Sequence, residues 1–143
     1  MSKWRSASAI EALKKTVEYT HIRRANAVDG KRELFGTIAS IPWTEKGEAC
    51  YAVGLSTRRT ERMPSKKIGR EAALGRALRT CAESMGFIGR SADVDHSGAY
   101  SIVRGFMTAA QFELFQHLCV QAPDQAVVHF NTALLAPMLL EAA

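Results

Sequence analysis

The sequence predicts a single α+β domain over residues 1–143, a small antiparallel sheet packed with a basic central helix and a C-terminal helical pair. Three observations lead there. Two runs rich in β-branched and aromatic residues, within 33–57, flank a polar connection that holds a glycine. Residues 65–85 space apolar side chains at helical intervals behind a proline, a serine and two lysines. Thr108-Ala-Ala-Gln111 has the form of a capping box and opens two strongly apolar helical stretches over 108–141.

In chain order, residues 1–28 are assigned to an N-terminal helix, because Ile10, Leu13 and Val17 fall at helical spacing with lysines and glutamates between them. Val28-Asp29-Gly30-Lys31 reads as a turn, since Asp-Gly tolerates positive φ. Residues 33–41 and 49–57 then form a hairpin around the connection Pro42-Trp43-Thr44-Glu45-Lys46-Gly47-Glu48, with Pro42 at a strand end where no ladder donor is needed. Ser65 suits the N-cap of the basic helix. Gly86 suits its C′ position, with Phe87 or Ile88 folding back in a Schellman-type contact.

Residues 99–106 are a candidate third strand, with Tyr100, Ile102 and Phe106 on one face. Met107 and Phe112 are placed for the hydrophobic staple beside the capping box. That helix stops near Ala122-Pro123, and Asp124 caps a last helix that breaks or kinks at Pro137. The apolar circumference of these two helices fits a protein core, with a homodimer seam as the alternative.

A chain of 143 residues, 47% hydrophobic and 23% charged, can bury a core without disulfides or metals. Cys50, Cys81 and Cys119 are far apart and form no C-x-x-C pair, which argues against a disulfide scaffold or a zinc site. MSKWRSASAIEALKK has no apolar core of signal-peptide length, and the apolar stretch 133–140 is too short to span a bilayer. The expectation is a reduced, cytoplasmic protein with no membrane partner and no cofactor.

Charge is concentrated. From Ser56 to Arg79 eight cations (Arg58, Arg59, Arg62, Lys66, Lys67, Arg70, Arg76 and Arg79) face only Glu61 and Glu71, a net +6 out of the chain's +5, which leaves −1 for the rest. Such a segment is the footprint of a polyanion site, although solvated surface cations have the same composition. On a helical projection of 65–85, Ile68, Leu74, Leu78, Ala82 and Met85 span the arc expected to pack on the hairpin. Gly69, Ala73 and Ala77 form a small-residue stripe, which suits either a close approach to a sheet or a phosphate backbone lying over the helix. Lysines at a helix start oppose the backbone dipole unless an anion docks there.

The run SKKIGREAALGRAL, residues 65–78, resembles the last helix of double-stranded-RNA-binding domains, where a Ser-Lys-Lys element, a further basic residue and alanines clamp phosphates across a groove. The order helix, strand, strand, basic helix resembles that domain too. The resemblance implies that Lys66, Lys67 and Arg70 contact phosphates. KKIGREAALGRAL after a hairpin is also similar to small proteins carried by phages and other mobile elements, which implies handling of nucleic acid or an anti-CRISPR-like block of a host defence complex.

The leading expectation is thus a non-enzymatic protein binding the backbone of RNA or DNA through Arg58, Arg59, Arg62, Lys66, Lys67, Arg70 and Arg76. An inhibitor or adaptor docking the same arginines on a host nucleoprotein complex is the alternative, and a homodimer through the C-terminal helices is a further partner. Trp43 and Tyr51 are candidates for base stacking. Arg104-Gly105-Phe106 resembles part of an RNA-recognition-motif strand, while a helix cap accounts for Gly86-Phe-Ile-Gly89. Asp93, Asp95 and His96 could hold a metal, but turn-forming carboxylates explain them as well. His21 and His129 stand isolated, and no Walker loop, dinucleotide glycine motif or nucleophile elbow is present. No catalytic and no metal-binding residue is assigned.

Overall fold

The structure, a computed structural model, describes residues 4–25, 28–57, 66–89, 94–95 and 101–142. After a 3-10 turn, Trp4–Ser6, the elements are α1 (Ser8–Leu13), β1 (Glu18–Ala25), β2 (Arg32–Glu45), β3 (Glu48–Thr57), α2 (Lys66–Ser84), β4 (Val94–Asp95), β5 (Ser101–Ile102), β6 (Arg104–Thr108), α3 (Ala109–Gln121) and α4 (Pro123–Ala142). Among the described residues, β1, β2, β3 and β6 form one antiparallel sheet in the order β1-β2-β3-β6, and β4 pairs with β5 in a separate short ladder. The α+β expectation holds, with helices on both faces of the larger sheet.

The N-terminal helix is the first correction. It ends at Leu13, and residues 18–25 are a strand paired to β2 from Glu18↔Ser40 to Ala25↔Arg32. Val17, Tyr19 and His21 alternate along one face while Ile22 enters the opposite core, and the register with β2 shifts between Ile22 and Arg23. This two-residue period overrides the three helical matches upstream, because pairing with β2 satisfies the backbone and buries both faces. The turn that follows is as expected: Gly30 has φ 71° and the Lys31 amide donates to Asp29 Oδ1 at 3.0 Å.

The hairpin loop is shorter than the sequence suggests. Only Lys46 and Gly47, both at positive φ, join Glu45 to its partner Glu48, as in a tight two-residue turn. Pro42 therefore lies inside β2, opposite Tyr51. It is tolerated because β1 pairs with β2 only as far as Ser40, leaving that flank of β2 open beyond it.

α2 packs on the expected arc in its later turns, where Leu78 and Ala82 are buried and Leu74 and Met85 lie against the same core. The small-residue stripe of Gly69, Ala73 and Ala77 is buried as well, whereas Ile68 at the helix start is 37% exposed. The cause lies in the sheet: a Cβ at Gly54 of β3 would stand 2.2 Å from the Ala73 carbonyl oxygen. Glycine below and alanine above bring two backbones together, so the small stripe is the packing surface and is not open to a phosphate. α1 lies on this same face, where Ile10 and Trp4 join Ala39, Ile41, Ala52, Leu78 and Cys81 in one apolar cluster. α2 closes with Gly86 at φ 82°, the Gly86 amide bonded to Glu83 O and the Phe87 amide to Ala82 O, a complete Schellman motif.

The candidate third strand over 99–106 divides into β5 and β6, and β6 runs on to Thr108; Tyr100 lies outside the described residues. The capping box is formed, with Gln111 N donating to Thr108 Oγ1 at 3.1 Å and Thr108 N to Gln111 Oε1 at 3.0 Å. Met107 and Phe112 share the second apolar cluster with Phe115, Phe130, Ile38 and Val53. α3 and α4 thereby cover the sheet face opposite α2, which is the core role expected of them. α4 starts at Pro123 rather than being capped by Asp124, since a first-turn proline gives up no hydrogen bond. It continues as one helix past Pro137 to Ala142. No helix among the described residues is long and apolar enough to cross a membrane.

Candidate nucleic-acid interface

Gly69 fixes where the start of α2 sits. An added Cβ there would approach Thr37 Oγ1 to 3.0 Å, so the first turns of the helix rest on the middle of β2. Lys66, Lys67 and Arg70 surround that contact and are exposed. None of the three makes an ion pair or side-chain hydrogen bond among the described residues. Their cost to the helix is real, about 0.3–1 kcal/mol for each cation opposing the dipole, and the first-turn amides beside them have no intrahelical acceptors.

The neighbouring strand adds to the same surface. His21 stands opposite Thr37 in the β1–β2 ladder, with its Nδ1 3.1 Å from Thr37 Oγ1. Tyr19 precedes it by two residues on the same strand face, and Arg23 follows it past a shift in the β1–β2 register between Ile22 and Arg23. Electrostatics register the closeness: burial, then the charges of Lys66, Arg23 and Arg70, hold the His21 imidazole below its usual value. Burial pushes the Tyr19 phenol up, partly offset by Arg70. Cations from a helix and from an edge strand therefore converge on one half-buried histidine.

The other expected contacts separate from this group. Arg76 turns inward, its Nη1 donating to the Leu55 carbonyl at 2.8 Å, so it clamps α2 to β3 instead of facing a ligand. Arg58, Arg59 and Arg62, together with Ser65, Asp93 and His96, lie outside the described residues. Asp95 pairs with Ser101 in the short ladder. Trp43 stacks on Phe106 at 6.4 Å and Tyr51 packs on Phe112 at 4.4 Å, so both candidate stacking rings are engaged in the fold. Beside them, at the hairpin tip, Leu13, Pro42, Trp43, Cys50, Tyr51 and Ala109 line an open groove of about 600 Å³. It sits at the far end of α2, where Ser84 Oγ bonds Glu45 Oε2 at 2.7 Å. Among the described residues, no group of three or more His, Cys, Asp or Glu is placed to hold a metal.

Sequence reasoning missed His21, Tyr19 and Arg23, because a helical assignment of 1–28 scattered them around a cylinder. The available signal was the alternation from Val17 to His21. Compared with known proteins, the chain matches no family model, no curated protein and no solved structure.

Proposed function

We propose that the protein binds nucleic acid without catalysing a reaction on it, holding the phosphate backbone on the surface built by Lys66, Lys67 and Arg70 of α2 and by Arg23 of β1. The observation that carries this reading is the convergence of cations from two separate elements, with no carboxylate partner among the described residues. A solvated charged face would gain nothing from placing them together, since like charges repel. An anion lying across the start of α2 reverses the penalty, because it meets the positive end of the helix and the side-chain charges at once. The resemblance of residues 65–78 to double-stranded-RNA-binding domains supports the same reading. With β1 recognised as a strand, a short helix and three antiparallel strands precede the basic helix.

The contacts invoked are to phosphates, so the binding is largely indifferent to base sequence. Gel-shift titrations with duplex RNA, duplex DNA and single strands test it, using wild type and the K66A/K67A/R70A triple variant. Binding at low salt that the triple variant loses, with its thermal unfolding unchanged, supports the proposal. Wild-type protein that shifts none of these probes, yet retains a partner from nuclease-treated lysate, would replace it with the inhibitor or adaptor reading.

A further inference from the structure

Three groups from three elements meet at one point beneath the cationic surface. Thr37 Oγ1 of β2 is 3.1 Å from His21 Nδ1 of β1, and the same oxygen is the nearest atom to a Cβ built on Gly69 of α2. Lys66 and Arg70 lie three residues before and one residue after Gly69. Arg23 lies two residues along β1 from His21, just past a shift of register between Ile22 and Arg23, and its charge acts on the ring. We propose that His21 is itself a phosphate ligand of this surface and that nucleic-acid binding takes up a proton on its imidazole. This rests on the nucleic-acid reading above.

The chemistry fits one ring nitrogen committed and the other available. Thr37 hydroxyl can donate to a bare Nδ1 or accept from a protonated one, so this hydrogen bond survives a change of charge. Nε2 has no partner among the described residues. The groups facing the ring are Tyr19 and Arg23 from β1, Thr37 from β2, and Lys66 and Arg70 from α2. Burial and the three cations disfavour the imidazolium in the unbound protein, while the phenol of Tyr19 stays neutral. A bound phosphodiester offsets those cations and accepts a hydrogen bond from Nε2–H of the imidazolium, which favours the charged ring against the burial. It has no proton of its own to exchange near neutrality, which leaves the pH dependence to the protein.

The sign follows from linkage. The imidazole pKa is low in the unbound protein and higher in the complex, so between those two values affinity rises as pH falls, by up to about tenfold per pH unit for one proton. Below the unbound value the ring is charged in both states and the dependence flattens.

The test uses a 20-base-pair RNA duplex and a DNA duplex at fixed ionic strength. Affinity is measured at pH 5.5, 6.5 and 7.5 for wild type, H21Q and K66A/K67A/R70A. In parallel, the His21 imidazole of the wild-type protein is titrated by NMR with and without saturating duplex. The expected results are a several-fold gain in wild-type affinity per pH unit on acidification, a flatter profile in H21Q that still binds at pH 7.5, and a His21 pKa raised by roughly one unit in the complex. If duplex binds and the triple variant abolishes it, but the His21 pKa is unmoved, the histidine proposal is overturned while the nucleic-acid reading stands. If wild type binds neither duplex at any pH, both fall. The NMR titration needs only wild-type protein and decides the matter even where H21Q fails to fold.

Discussion

Gly54 of β3 and Ala77 of α2 are in backbone contact: a Cβ on Gly54 would stand 2.6 Å from the Ala77 amide nitrogen and 2.8 Å from the Arg76 Cβ. Neither atom is the loose end of a side chain, so nothing there can swing aside. G54A should lower stability by roughly 3 kcal/mol, the upper part of the range for overpacked cores. Gly75 is the control, with only Arg5 Nη1 within 4 Å, at 3.9 Å. G75A should raise stability by about 0.5–1 kcal/mol, as alanine does inside a helix. Urea unfolding of the two variants should move in opposite directions, and a stabilised G54A would refute the close approach.

Arg104 is 6% exposed, and its Nη2 is bonded to Glu83 Oε1, joining β6 to α2. Thr80 Oγ1 supports the guanidinium at 3.4 Å from Nη1. E83A leaves a buried guanidinium short of its counter-charge and should cost about 3–5 kcal/mol. R104M/E83L removes both charges, so its unfolding midpoint should lie above that of E83A. The double-mutant cycle measures the coupling directly.

Salt dependence gives the proposed interface a number. If Lys66, Lys67, Arg70 and Arg23 each neutralise one phosphate, log affinity for duplex DNA falls against log salt with a slope of about −3.6. Between 50 and 200 mM salt that is a loss of about 150-fold. A single alanine at Lys66, Lys67 or Arg70 should bring the slope to about −2.7. R76A behaves differently: losing the charged donor to Leu55 O should lower stability by about 1–2 kcal/mol with the slope for duplex unchanged. A shallower slope in R76A would return that arginine to the interface.

Cys81 and Cys119 are almost fully buried, and burial pushes both thiols up to about 12. Cys50 is half-buried and is raised first by burial and then by Glu45. Timed alkylation at pH 8 read by mass spectrometry should label Cys50 first, with Cys81 and Cys119 reacting only as the protein unfolds. The folded state keeps protons that the unfolded chain releases above pH 9, so both buried thiols make stability fall as pH rises from 9 toward 12. Alanine or serine at both positions should flatten that alkaline limb of a denaturation-versus-pH curve.

Local chemistry was legible wherever one short stretch sufficed. Thr108 and Gln111 bond within one helical turn, Gly86 supplies a positive φ to its own helix end, and Asp29 folds over its own loop. None of these depends on a distant partner. The basic helix and the apolar pair over 108–141 were equally plain, because long amphipathic or apolar stretches have few ways to bury themselves. What failed was faces and partners. The strand 18–25 hid behind the helical spacing of Ile10, Leu13 and Val17, and its true period appears only when β2 lies beside it.

The site divides along the same line. By itself the chain's order of residues determined that positive charge gathers around residues 58–79 and that a helix begins among those cations, since composition and spacing are properties of one segment. Only the tertiary structure decided which cations act together. Gly54 admits the small face of α2 to the sheet; that packing turns Arg76 inward to Leu55 and leaves Lys66 and Arg70 beside His21 and Arg23 on the edge strand. Side chains more than forty residues apart become neighbours through backbone packing, a contact no local pattern encodes.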